Sequence, residues 1–195
     1  MNVIFDIGEV LIQWDVEAAF PEVDDVASFL EASDFFAWNA LQDAGRSQEE
    51  AAKAAYESHP EHAPQLVKYF ERFADSIQNK VPGTWELMEE LRVKGHRIFG
   101  LTNWAAETYP VAQTVHPELI DAFDDVVVSG REKLLKPQPE IYQCLLERNG
   151  LEADGCLFID DSLKNVAGAE AVGIHAELFT DAGALRADLE VRGVL

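Results

Sequence analysis

The spacing of apolar positions changes character along the chain, and each change marks a different kind of element. Val3, Ile4 and Phe5 form a short unbroken apolar run, as in a strand buried on both faces of a parallel sheet, and Gly8 marks where that run stops and bends. From Val16 the period turns helical. It predicts short amphipathic helices over Val16 to Phe20, Val26 to Leu30, Phe35 to Leu41, Gln48 to Ser58 and Pro64 to Ile77, with no strand among them. Ser47 with Glu50 three residues on reads as a capping box for the fourth, its acidic first turn suited to the positive helix end.

From Thr84 helices and strands alternate. A helix over Thr84 to Lys94 is stopped by Gly95, a strand over His96 to Leu101 ends in Thr102-Asn103, and a helix runs through Tyr109. Asp125 to Ser129 reads as a strand, Pro139 to Arg148 as a helix closed by Gly150, and Cys156 to Ile159 as a buried strand ending in Asp160-Asp161. Ser162 to Val172, Ile174 to Phe179 and a helix from Asp181 complete the alternation. Such a pattern implies right-handed crossovers and an α/β fold with a mostly parallel sheet covered by helices on both faces. Residues 16–78 are then a small helical unit inserted after strand 1, between 1–15 and 79–195.

Composition narrows the partners. An apolar share of 48% excludes wholesale disorder. Fifteen Lys and Arg against 36 Asp and Glu leave a formal charge of -21, which repels nucleic acid and anionic membrane surfaces. A small anionic substrate would need local positive charge or a cation. Cys144 and Cys156 are too few for a disulfide framework, and the five histidines lack metal-ligand spacing; His59 and His62 are separated by the helix-breaking Pro60. Without a basic-then-apolar leader or an apolar run near the ~20 residues of a membrane span, the expectation is a soluble cytoplasmic protein.

Each strand of the alternating set ends in a different chemistry: Asp6, then Thr102-Asn103, then Lys136 beyond the third, then Asp160-Asp161. Parallel strands bring these ends to one edge, where open α/β sheets bind ligands. A carboxylate that can attack, groups that can hold anionic oxygens, a lysine and an acidic pair able to bind a hard cation suit phosphoryl transfer.

These four segments, Phe-Asp6-Ile-Gly8, Leu-Thr102-Asn103, Lys136-Pro-Gln-Pro139 and Phe-Ile-Asp160-Asp161-Ser, resemble in order and spacing the motifs of the haloacid dehalogenase-like hydrolases. The resemblance implies a Rossmann-like core with a helical cap inserted after strand 1, and a Mg²⁺-dependent phosphomonoesterase acting on a small phosphorylated metabolite. It makes Asp6 the nucleophile that forms an aspartyl phosphate, and Thr102, Asn103 and Lys136 the groups that bind the phosphate and balance its charge. Asp161, with Asp160 as a second or outer partner, Asp6 and the Gly8 carbonyl would hold the metal.

One position departs from that family's phosphatases, which carry a second aspartate two residues after the nucleophile, where this chain has Gly8. Acid–base catalysis of that kind contributes ~10²–10⁴-fold, so a good leaving group or a substitute acid is needed; Glu9 is the nearest carboxyl. The Asp-Ile-Gly-Glu-Val-Leu wording resembles the subgroup containing α-D-glucose-1-phosphate phosphatases, which suggests a sugar phosphate. A metal-independent 2-haloacid dehalogenase using the same aspartate, or a weakly catalytic binding protein, are the alternatives. Over the site, Trp14 and Arg46 are expected to touch substrate, Phe35 and Phe36 to form the insertion's own core, and Trp104, directly after Thr102-Asn103, either to touch substrate or to serve as site rim or core.

Overall fold

In the computed structural model, which describes residues 1–195, the strands β1 (Asn2–Phe5), β2 (Arg97–Thr102), β3 (Asp125–Val128), β4 (Cys156–Asp160) and β5 (His175–Leu178) form one sheet. All neighbouring pairs are parallel and the order is β3-β2-β1-β4-β5. The chain leaves β1, builds outward through β2 and β3, then returns to lay β4 and β5 on β1's other side. That reversal leaves a crevice beside the carboxyl end of β1.

Alternation along the strands explains why they read as continuous apolar runs. Val3 and Phe5, with Ile98, Leu157 and Ile159, face one side, and Ile4, with Phe99, Leu101 and Phe158, faces the other. The first side is covered by α5 (Thr84–Val93), α6 (Tyr109–Val115) and α10 (Ala182–Val191), through Leu87, Leu91, Tyr109, Leu185 and Leu189. The second is covered by α8 (Pro139–Asn149) and α9 (Leu163–Ala171), through Ile141, Tyr142, Leu145 and Ala169. Both faces of the sheet are therefore dry.

Between β1 and α5 lie α1 (Val26–Ala32), α2 (Phe35–Asp43), α3 (Gln48–Ser58) and α4 (Ala63–Arg72), with 3₁₀ turns at Val16–Ala19 and Phe73–Ile77 and no strand. Phe20, Phe29, Phe35, Trp38, Tyr69 and Phe73 pack edge to face, tilted or, for Phe20 on Tyr69, stacked, and this aromatic set is continuous with the α5 side of the sheet core. The expected capping box is present: Ser47 Oγ accepts from the Glu50 N–H while the Glu50 carboxylate accepts from the Ser47 N–H at 3.0 Å.

Several boundaries differ from expectation, three of them for a physical reason. The helix expected through Tyr109 instead begins there, with Pro110 in its first turn, because proline lacks the N–H that an interior position requires. Residues 103–105 are irregular and 106–108 form a turn. Ser129 does not end β3 but opens the short α7 (Ser129–Glu132), and the helix expected over Pro64 to Ile77 tightens to 3₁₀ at Phe73. No helix is long and apolar enough to cross a membrane, and both cysteines are free.

Candidate active site

β1 carries Asp6 to the sheet edge, its N–H still tied into the ladder by the Ile159 carbonyl at 2.9 Å. Lys136 arrives from the loop between α7 and α8. Its Nζ lies 2.8 Å from Asp6 Oδ2, 2.7 Å from Asp160 Oδ2 and 3.0 Å from the Leu101 carbonyl, and its side chain has no exposed surface. The loop is held by Asn103, whose Oδ1 accepts from the Lys136 N–H at 2.9 Å and whose Nδ2 donates to the Lys136 carbonyl at 3.0 Å. Asn103 thus spends its amide on placing Lys136. Thr102 lies buried at the end of β2 beside Asp6's edge position.

The acidic pair divides its labour. Asp160 is fully buried, and its two oxygens accept from Lys136, the Ser162 N–H at 2.8 Å and Asn165 Nδ2 at 2.9 and 3.1 Å. Asp161 is exposed as a residue, but its carboxyl lies partly desolvated against the site, and that partial desolvation together with the nearby Asp160 charge pushes it up. Burial likewise pushes Asp6 up to about 7, against the pull of Lys136 and with the help of Asp160. Burial alone would push the Lys136 ammonium down, but Asp6 and Asp160 outweigh it and hold it up.

Carboxylate oxygens of Asp6, Asp160 and Asp161 can lie within 4.8 Å of one another. Three carboxylates against one ammonium leave the cluster negative, and an all-oxygen donor set of this kind fits a hard divalent cation such as Mg²⁺. Asp161 has the free lone pairs for it; Asp160's are committed to Lys136, Ser162 and Asn165.

A cavity of ≈ 110 Å³ opens between this edge and the helical segment, walled on the sheet side by Gly8, Glu9, Asn103 and Trp104. Trp14, Tyr69, Phe70 and Phe73 make an aromatic wall, with Trp14 Nε1 donating to Tyr69 Oη at 3.2 Å. Gln42 Nε2 and Trp104 Nε1 are buried donors without a partner, and both residues line the cavity.

The structure therefore gathers Asp6, Gly8, Thr102, Asn103, Lys136, Asp160 and Asp161 at one edge and puts Trp14 on the aromatic wall of the cavity beside it. It does not bring Arg46 there. That guanidinium folds back on α2, donating to Gln42 Oε1 and to the Trp38 carbonyl, each at 2.7 Å, and closes the helix end. Phe35 is core, as expected, whereas Phe36 is more than half exposed. Glu9 adopts a left-handed φ of 57° and its Oε1 accepts from the Trp14 N–H at 2.6 Å, so its carboxylate organises the loop.

Sequence reasoning missed Gln42, Asp43 and Ser129. Ser129 Oγ accepts from the Trp104 N–H at 2.9 Å and donates to the Asp43 carbonyl at 2.7 Å, joining β3's end to α2. Only Asp43 left a sequence signal: a carboxylate two residues before Gly45 sits at a helix C-terminus, where the macrodipole disfavours it.

A parallel sheet whose switch point carries a buried aspartate, a lysine paired to it and a neighbouring acidic pair defines an α/β hydrolytic enzyme. Residues 1–173 match the family model described as haloacid dehalogenase-like hydrolase, and the chain belongs to that family. A wild-type enzyme of this family from Bacteroides thetaiotaomicron, solved with magnesium and inorganic phosphate, superposes with a TM-score of 0.72 at 21% identity, covering 92% of this chain and 94% of that one. A predicted hydrolase of the same type from Porphyromonas gingivalis gives 0.73 at 23% identity, covering 98% and 97%. Among curated relatives, a sesquiterpene phosphatase of Aspergillus oryzae is 34% identical over 95 residues, 49% of this chain and 48% of the relative. The chain spans about half or less of the curated relatives it matches most strongly.

Proposed function

We propose that the chain is a Mg²⁺-dependent phosphomonoesterase that hydrolyses a small phosphorylated metabolite, of the sugar phosphate type, through a phosphoryl group carried on Asp6. The observation that carries this reading is the Lys136 ammonium held between Asp6 and Asp160, beside a free Asp161 carboxylate. That arrangement puts a nucleophile, a fixed positive charge and a cation site against one point in space. The relatives with phosphatase activity in their names support it.

In this reading Asp6 presents a carboxylate oxygen to phosphorus from a strand end that cannot shift. Lys136, with no side-chain freedom left, offers its charge to the phosphoryl oxygens, and Thr102 binds a second oxygen; Asn103 acts by locking the Lys136 backbone. Asp6, the Gly8 carbonyl and Asp161 would hold Mg²⁺, which when bound neutralises charge on the transferring group. Asp160 keeps Lys136 aimed. Residues 16–78 serve as the cap that excludes water from the edge, and residues 1–15 with 79–195 as the catalytic core. The leaving group occupies the cavity: an aromatic wall stacks on the C–H face of a sugar-like ring, and Gln42 Nε2 and Trp104 Nε1 donate to its hydroxyls.

The test is a panel of phosphorylated metabolites assayed with Mg²⁺ and with EDTA, for the wild type and Asp6→Asn. Expected is phosphate release that needs Mg²⁺ and is lost in Asp6→Asn at unchanged fold. Halide release from 2-haloacids in EDTA would make it a dehalogenase, and inactivity on both panels a binding protein.

A further inference from the structure

We infer that Asp43, at the end of α2, is the general acid and base of this site, supplied by the helical segment in place of the side chain that Gly8 lacks. The inference rests on the phosphomonoesterase reading. Asp43 lines the same cavity as Gly8, two residues from Asp6, and Asn103, which holds Lys136, and the Lys136 charge acts on its carboxyl; the leaving group of a phosphate held at Asp6 is placed in that cavity.

Its position is enforced from both sides. The Ser129 hydroxyl grips its backbone carbonyl, Arg46 closes the helix end around Gln42, and Gly45 packs so tightly against Gly130 and Lys133 that a Cβ there would meet Lys133 Cγ at 2.7 Å. The backbone N–H of Ala105 faces the carboxyl. A carboxylate has little to gain there. The helix dipole opposes it, no basic side chain forms an ion pair with it, and burial pushes it up to about 7, with Lys136 and the Ala105 N–H pulling the other way. The other ionisable groups on the cavity wall are Glu9, spent on Trp14, and Tyr69, itself pushed up by burial. A carboxyl near half protonation at neutral pH is suited to giving a proton and taking it back.

The steps balance. An Asp6 oxygen bonds to phosphorus while the P–O ester bond breaks. The electron pair of that bond stays on the leaving oxygen, which takes the Asp43 proton and departs as an alcohol. Asp43, now a carboxylate, takes a proton from a water whose oxygen bonds to the same phosphorus. The P–O bond to Asp6 breaks, and inorganic phosphate leaves with Asp6 a carboxylate and Asp43 protonated again.

The experiment compares a hexose phosphate with p-nitrophenyl phosphate, whose leaving group needs no proton. With wild type active on both, Asp43→Asn should lower kcat/KM about 10²–10⁴-fold for the hexose phosphate and less than about 10-fold for p-nitrophenyl phosphate. With the aryl ester it should give a burst of one equivalent of nitrophenol and a trapped phospho-Asp6, because the second step has lost its base. Equal losses on both substrates, which a merely structural tie would produce, or no loss on either, overturn the inference. A wild type inactive on both esters overturns the phosphomonoesterase reading and this inference with it.

Discussion

Replacing Lys136 with methionine tests the centre of the site through stability rather than turnover. The ammonium sits 2.8 Å from Asp6 and 2.7 Å from Asp160, and its side chain is wholly buried. At an effective dielectric of ~20 each contact is worth about 6 kcal/mol of Coulomb attraction, most of it offset by the cost of burying the charges. Methionine keeps the apolar stem but leaves two carboxylates facing each other without a counter-charge. Breaking a buried pair in this way costs ~3–5 kcal/mol. The measurement is urea unfolding at neutral pH in EDTA, so that no cation substitutes for the ammonium, with an unchanged urea dependence as the sign of an intact fold. Lys136→Met combined with Asp160→Asn should be less destabilised than the sum of the single changes, by about 2 kcal/mol. A single-variant loss below ~1 kcal/mol, the range of an exposed ion pair, would refute the argument.

Two further outcomes are expected. Phe35 has no exposed surface and lies within ring contact of Trp14, Phe20 and Tyr69, so Phe35→Ala should lose ~3–5 kcal/mol in urea unfolding and raise KM by loosening the aromatic wall. Asp43, with an ordinary value of 3.8, is raised to about 7. The folded chain therefore keeps a proton that the unfolded chain releases, and the stability this contributes is complete below about pH 4 and lost as pH rises through about 7. Relative to Asp43→Asn, the wild type should weaken by ~2 kcal/mol between pH 4 and pH 8, about half the full shift because the carboxyl opens partly to the cavity. Parallel pH–stability curves for the two would contradict it.

The elements were legible where local physics decides them. The capping box at Ser47 and Glu50 and the helix closed by Gly150 lie where side-chain and backbone preferences put them. The turn after Asn103 was not legible, because Trp104 and Ser129 hold it across a separation of 25 residues. Arg46 read as a substrate contact because a lone arginine near an aromatic cluster invites that role. Only packing shows its guanidinium folded onto its own helix.

By itself the sequence determined the alternation, the strand ends and hence the chemistry at the edge, since a period of two or of 3.6 and a polar residue after an apolar run are local properties. The pairing of Asn103 with Lys136, the split between a committed Asp160 and a free Asp161, and the placement of Asp43 and Gly8 on the wall of one cavity were decided only by tertiary structure. Each joins groups from different elements, and burial, which sets both their charges and their partners, exists only once those elements have packed.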